Sequence, residues 1–212
     1  LGDSITQQGA GSSSGYVNLV ISGLKANGVE AKCIPAGISG HKSNNMLERL
    51  DKDVIDKKPV WMTLSCGVND VWHGANGVPL DKYKENITAI VDKAQAAGIK
   101  VMILTSTMIG EDDNPNNKKL EEYNAFLREI AGSKKCLLAD LNADMRKKLD
   151  ELGGAKKGQN LLTGDGVHMN PFGNMMMATG VLRAFGLNDE QIKKAEEFWR
   201  ANATVQVPVS IT

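Results

Sequence analysis

A serine, a histidine and an aspartate, together with two donor positions, are the residues through which this sequence could do chemistry. Ser4 sits in Gly2-Asp3-Ser4-Ile5-Thr6, where Gly2 and Gly9 let the backbone bend tightly and expose the hydroxyl on a strand-to-helix turn. His168 ends Asp165-Gly166-Val167-His168. A carboxylate three residues before an imidazole, on one turn, can accept from one ring nitrogen and leave the other free. Acyl transfer needs a hydroxyl nucleophile, a base within hydrogen-bond reach, a carboxylate that fixes the base's tautomer, and donors for the oxyanion. Ser4, His168 and Asp165 fill the first three roles. The N–H groups of Ser4 and Gly37 and the side-chain amide of Asn69 fill the fourth, and losing one such donor costs about 3–4 kcal/mol of transition-state stabilisation.

These residues act together only if the fold brings them to one rim. Apolar runs of strand length alternate with segments of helical period, the pattern of βαβ units around a parallel sheet. Five strands are expected, the first ending at Leu1 with its body before the sequence, the others over residues 29–35, 60–66, 100–105 and 136–140. Helical stripes run through Tyr16, Val20 and Leu24, stopped by Asn27-Gly28, and through Tyr83, Ile87, Ile90 and Ala94, stopped by Gly98. Leu120, Tyr123, Leu127 and Ile130 make a third stripe after Asn114-Pro115, which reads as a cap and the first helical residue. The same signal at Asn170-Pro171 opens a Met-rich helix to about Phe185, and a last amphipathic helix covers 189–200. The alternation over 205–211 is an added strand or a linker in a tail spanning 204–212. With no repeat, low-complexity stretch or charge block, the 212 residues make one domain, 1–212. Ser4 then follows strand one, Gly37 strand two and Asn69 strand three, while Asp165 and His168 precede a late helix. All fall at the carboxyl edge of the sheet, where open parallel sheets bind ligands. The longest irregular stretches, 67–79 and 109–114, lie at the same edge.

Four short blocks, in order, resemble the SGNH (GDSL) hydrolase family. Its first block stands as Gly2-Asp3-Ser4-Ile5-Thr6, and its second as Gly37 within Ala36-Gly37-Ile38-Ser39-Gly40. The third is Gly67-Val68-Asn69-Asp70 and the fifth Asp165-Gly166-Val167-His168. The resemblance implies a flavodoxin-like, three-layer α/β/α fold around a central parallel sheet. It also implies Ser4 as nucleophile, Asp165 and His168 completing the triad, Ser4, Gly37 and Asn69 as the oxyanion hole, and no metal or organic cofactor. One departure is Ala36, which stands where an asparagine is often found before the second-block glycine. Residues 77–83 and Asn170-Pro171-Phe172-Gly173-Asn174 are similar to family members acting on simple or carbohydrate O-acetyl esters.

Singly, each residue has a plainer reading: Ser4 a helix cap, His168 a capping histidine, Gly37 and Asn69 turn residues. Asp70 reads as structural, and His41 and His73 as surface-loop histidines. Trp72 and His73, in the loop after Asn69, are candidates for substrate contact, with packing against the body as the alternative. The run Gly9 to Gly15 misses the G-x-G-x-x-G spacing and reads as a flexible loop near the site. Three histidines and no recognisable ligand spacing leave no metal site. Cys33, Cys66 and Cys136, widely spaced, read as buried free thiols. Lys+Arg and Asp+Glu both number 25, so no net charge recommends nucleic acid as partner. No apolar run reaches the ~20 residues of a membrane span. The expectation is a serine esterase that hydrolyses short-acyl, preferably acetyl, esters of small molecules or carbohydrates through an acyl-enzyme on Ser4. The alternatives are a lipase- or thioesterase-type acylhydrolase of the same family, and a non-catalytic carbohydrate-binding domain with this fold.

Overall fold

A computed structural model describes residues 1–154 and 159–202, so the alternation at 205–211 lies outside the described residues. In chain order the elements are α1 (Ser4–Gly11), α2 (Tyr16–Ala26), α3 (Ser43–Glu48), α4 (Leu50–Asp53), β1 (Trp61–Ser65), α5 (Val68–Trp72) and α6 (Leu80–Ala96). There follow β2 (Lys100–Leu104), α7 (Pro115–Ser133), β3 (Leu137–Ala139), α8 (Leu141–Glu151), α9 (Pro171–Ala184) and α10 (Asp189–Ala201). β2 is the middle strand, and Val101, Met102, Ile103 and Leu104 are all buried, as a strand covered on both faces requires. It pairs in parallel with β1 from Trp61↔Lys100 to Ser65↔Leu104, and with β3 from Met102↔Leu137 to Leu104↔Ala139.

The sheet therefore has three strands among the described residues, not the five read from the sequence. The other two positions survive as single contacts. Ser65 N donates to Leu1 O at 3.0 Å, and Gly2 forms an isolated parallel bridge with Gly37. In that bridge Gly2 N donates to Ala36 O at 3.2 Å and Ile38 N to Gly2 O at 3.1 Å. Residues 29–35 pair with no other strand among the described residues. They stay irregular and solvated, with Val29 48% and Ile34 42% exposed.

The periodic helices form where their stripes predict, because those stripes are the core. Tyr83, Ile87, Ile90 and Ala94 of α6 and Leu120, Tyr123, Leu127 and Ile130 of α7 are buried in one cluster that runs from Leu1 to Trp199. Asn114 and Asn170 cap α7 and α9 through Asn117 N and Gly173 N, both at 3.0 Å, with proline next in each helix. Three helices have no such stripe: α3, α4 and α5 hold six, four and five residues, too few for a period. α8, unread in the sequence, carries Leu141, Met145 and Leu149 at the same spacing as the α2 stripe. So 67–79, read as irregular, contains α5 and a 3-10 turn at Gly74–Asn76, and Gly9 to Gly11 close α1 instead of opening a loop. Of the three thiols, all free, only Cys66 is buried, and Cys33 and Cys136 are half-buried. No described helix is long and apolar enough to cross a membrane.

Gly37 is the position where this packing leaves no room. A Cβ there would run into the backbone N of Gln7 and come within 2.8 Å of its Cα, in the first turn of α1. Gly37→Ala is expected to lower unfolding free energy by about 3 kcal/mol, through the backbone shift that overpacking forces, as read from urea denaturation.

Candidate active site

The first turn of α1 presents the serine. Asp3 caps the helix, its Oδ1 accepting from Ile5 N at 2.9 Å, and Ser4 is the first helical residue. At that position the Ser4 N–H has no intrahelical acceptor, and none is found for it among the described residues. The helix end thus offers a free donor and a positive dipole beside the Ser4 hydroxyl. Ser4 Oγ lies 2.8 Å from His168 Nε2, across 164 residues of chain.

His168 and Asp165 share one closed turn. Gly164 N donates to His168 O at 2.8 Å, and Thr163 bridges Met169 in antiparallel fashion. Gly166, at φ +93, supplies the left-handed residue that closes it. Inside the turn, Asp165 Oδ1 accepts from Val167 N at 3.0 Å and from His168 N at 2.8 Å, and Oδ2 sits 2.7 Å from His168 Nδ1. Partial burial pushes the Asp165 carboxyl up, but the His168 ring and these two backbone N–H groups outweigh it and hold it at about 2. A carboxylate can only accept, so Nδ1 keeps the ring proton and donates it to Asp165, and Nε2 carries its lone pair toward the serine hydroxyl.

Asn69 and Gly37 complete the predicted set. Asn69 is buried in α5, with Nδ2 donating to His41 O at 3.2 Å and Oδ1 3.1 Å from His73 Nε2. A backbone carbonyl can only accept, which fixes the amide orientation and leaves Nδ2 one further proton. No acceptor is found for the Gly37 N–H among the described residues. His73 therefore sits on Asn69, while Trp72 beside it is 45% exposed, its ring 6.3 Å from that of His73. Asp70, fully buried, accepts from Ser43 N at 3.0 Å and from Ser43 Oγ at 2.5 Å, the structural part the sequence suggested. Among the described residues no three His, Cys, Asp or Glu side chains are grouped to hold a metal ion.

Two residues that sequence reasoning passed over organise this site. Arg49, between α3 and α4, donates from Nη1 to Ala36 O and from Nη2 to Gly2 O, both at 2.9 Å, and from Nε to His41 Nδ1 at 3.0 Å. Desolvation and the Arg49 charge hold His41 below its ordinary value, in keeping with a neutral ring that accepts. His41 is thereby tied into the site, not free in a surface loop. Glu111 is buried and accepts from Leu161 N at 2.6 Å, Leu162 N at 2.9 Å, Thr163 N at 2.7 Å and Thr163 Oγ1 at 2.6 Å. With Gly110 N donating to Gly166 O at 2.7 Å, it pins the segment leading into the His168 turn. Neither carries a motif, because both act on backbone groups that only the tertiary fold brings near.

Asp3 gives a test of the electrostatics. Burial raises its carboxyl to about 6, with Ile5 N–H pulling down, Asp70 pushing up and His168 pulling down. The folded protein holds this proton more tightly than the unfolded chain, whose value is near 3.8. The cost of ionising Asp3 is thus absent below the unfolded value and complete once pH passes the folded one. Asp3→Asn keeps an acceptor for Ile5 N without the charge. It is expected to stabilise the protein by about 2–3 kcal/mol above pH ~7, a gain that vanishes near pH ~4 in denaturation at the two pH values.

Known proteins align with this geometry. The sequence matches the GDSL-like lipase/acylhydrolase family over residues 1–176. It is 29% identical to an acetylxylan esterase of Geobacillus stearothermophilus over 206 residues, 88% of this chain and 92% of that one. It is 27% identical to the esterase TesA of Pseudomonas aeruginosa over 169 residues, 79% of this chain and 77% of that one. The crystal structure of the acetyl xylan esterase AlAXEase superposes with a TM-score of 0.81 at 34% identity, over 86% of this chain and 96% of that one. For Axe2, the Geobacillus stearothermophilus acetylxylan esterase, structures with a serine or an aspartate replaced are described as catalytic mutants. With a serine–histidine–aspartate chain at the sheet edge and a match over most of its length, this chain belongs to the GDSL-like lipase/acylhydrolase family and is a carboxylic ester hydrolase.

Proposed function

We propose that the enzyme removes short acyl groups, acetyl above all, from carbohydrate esters through an acyl-enzyme on Ser4. The observation that carries this is the unbroken pair of hydrogen bonds from Ser4 Oγ to His168 Nε2 and from His168 Nδ1 to Asp165, at 2.8 and 2.7 Å. Ser4 Oγ attacks the ester carbonyl as His168 Nε2 takes its proton, and Asp165 stabilises the imidazolium. The oxyanion accepts from Ser4 N–H, Gly37 N–H and the remaining Asn69 Nδ2 proton. Collapse expels the alcohol, which leaves with the proton from His168. Water, deprotonated by the same nitrogen, then attacks the acyl-enzyme, and acetate and free Ser4 result.

The sugar side of the reading is supported by the relatives named as acetylxylan esterases and by the rim of the site. There Trp72 and Phe172, 45% and 70% exposed, offer flat apolar surface within four residues of Asn69 and His168. His73, exposed beside Trp72, is read as a substrate contact whose Nε2 also holds the Asn69 amide at 3.1 Å. The segment between Gly67 and Pro79 is short and partly helical, with no long apolar lid of the kind a lipid chain needs. We also read residues 1–212 as one domain with a three-layer, flavodoxin-like arrangement, in keeping with one large core cluster from Leu1 to Trp199 beside a small one of Met108, Met145, Leu149 and Leu162.

Hydrolysis of p-nitrophenyl acetate by the parent and by Ser4→Ala tests the proposal. The variant is expected to lose roughly 10⁴- to 10⁶-fold in kcat with its circular dichroism unchanged. Turnover should fall from acetate to octanoate; a rise with chain length would favour the lipase or thioesterase reading. Binding of a deacetylated glycan that survives Ser4→Ala, with no ester cleavage by the parent, would make the protein a non-catalytic binding domain instead.

A further inference from the structure

We propose that Glu111 is a positioning residue for His168, acting through Thr163 on the turn that carries the imidazole and its carboxylate, without touching substrate. The inference rests on the reading of Ser4, His168 and Asp165 as the acyl-transfer triad. Inside that turn Val167 N and His168 N donate to Asp165 Oδ1, bonds between near neighbours that set the ring against its own carboxylate. They do not set the turn as a body against α1, where Ser4 lies. Gly110 and Glu111 reach it from outside, at both ends of Gly166, the residue that follows Asp165. Gly110 N donates to Gly166 O at 2.7 Å. Gly166 N donates to Thr163 Oγ1 at 3.0 Å, and Thr163 Oγ1 donates to Glu111 Oε1 at 2.6 Å. A carboxylate oxygen can only accept, so the Thr163 proton points at Glu111 and a lone pair is left for the Gly166 N–H.

Glu111 is itself held too tightly to wander. It is buried, and besides the Thr163 hydroxyl it takes three successive backbone N–H groups, Leu161 on Oε2 and Leu162 and Thr163 on Oε1, at 2.6, 2.9 and 2.7 Å. Hydrogen bonds of this length to an ionised acceptor are about twice as strong as neutral ones. All four donors come from residues 50 to 52 places further along the chain, and all belong to the segment that ends one residue short of Asp165. A helix cap or a turn stabiliser would hold one or two neighbours; this side chain holds the run-up to the His168 turn. Glutamine in its place keeps the size but sets an NH2 against a backbone N–H, donor facing donor. A shift of about 1 Å in the turn would then cost up to about 10²-fold in rate, because Nε2 must meet the serine hydroxyl along one direction.

Glu111→Gln, Thr163→Val and Thr163→Ser, compared with the parent in p-nitrophenyl acetate hydrolysis, thermal unfolding and labelling of Ser4 by a fluorophosphonate, test the assignment. In labelling, Ser4 Oγ bonds to phosphorus, fluoride leaves and His168 takes the hydroxyl proton. The rate therefore reads how well the ring meets the serine, and the final extent, by mass spectrometry, reads the fraction of intact sites. For Glu111→Gln kcat is expected to fall roughly 10- to 100-fold with KM changed by less than about threefold, and labelling to slow in step yet reach completion. Thr163→Val should do the same, and Thr163→Ser, which keeps the hydroxyl, should stay within about threefold of the parent. A folded Glu111→Gln protein with kcat within about twofold of the parent overturns the proposal. So does a loss confined to KM, or labelling that runs at the parent rate but stops at a partial extent, the pattern of a protein that is merely less stable. If Glu111→Gln does not fold, the two Thr163 variants carry the comparison; if they are equally active, or Thr163→Val does not fold either, Glu111 serves the fold and the proposal falls. Ser4→Ala separates the two levels: activity that survives it refutes the serine mechanism, whereas activity that needs Ser4 but neither Glu111 nor the Thr163 hydroxyl refutes only this inference.

Discussion

Close approach of backbone to backbone at Gly2 and Gly37 is the constraint on which the rest of the site depends. Their bridge brings the chain before the serine against the chain after residue 35, and neither position has space for a side chain. A Cβ at Gly2 would meet the Thr6 side chain, and one at Gly37 the backbone of Gln7. Two glycines let α1 start in contact with the 36–38 segment, and among the described residues no acceptor is found for the Ser4 N–H or the Gly37 N–H. The Arg49 guanidinium closes the other side of the same bridge by taking both its carbonyls.

Three aspartates show how environment assigns roles to one side chain. Asp165 is the most exposed, yet it is held ionised at about 2 by the donors of its own turn. Asp70 is sealed from solvent and pushed up by burial, against the pull of the Ser43 hydroxyl and N–H, and it ties α5 to α3. Asp3 is nearly as buried, raised to about 6, and is kept beside the nucleophile by its capping bond to Ile5 N. Only Asp165 sits where a stable negative charge is useful to an imidazole that must become cationic. Burying that charge would have raised its pKa and weakened its hold on the ring.

The sequence made legible what rests on local chemistry or long periodicity. The α6 and α7 stripes, the Asn-Pro helix starts and the order of the four short blocks could be read directly, and the serine, histidine and aspartate they nominate do meet within hydrogen-bond distance. What it hid depends on contacts between distant segments. Residues 29–35 have the composition of a strand but are irregular, with Val29 and Ile34 exposed. Glu111 lies in the irregular stretch 109–114 with no signal of its own, and only in three dimensions does it capture the Leu161 and Thr163 N–H groups. Arg49 lies in a short polar helical region with no recognisable pattern, and the contact of His73 Nε2 with Asn69 Oδ1 has no signal in the sequence either. Local signals of fewer than about seven residues do not carry a helical period, which is why α3, α4 and α5 escaped.

The His168–Asp165 contact spans three residues, while the Ser4–His168 contact spans 164. The imidazole and its carboxylate are therefore a local module, formed as soon as one turn closes. The nucleophile lies 164 residues earlier in the sequence, and joining the two is a long-range event of high loop-closure cost. A chain emerging in order presents Ser4 well before His168, so a partly folded or partly made molecule holds an unactivated alcohol. Ester cleavage is then switched on by the closing of that long loop, and the catalytic rate doubles as a reporter of whether the Ser4 and His168 segments have met.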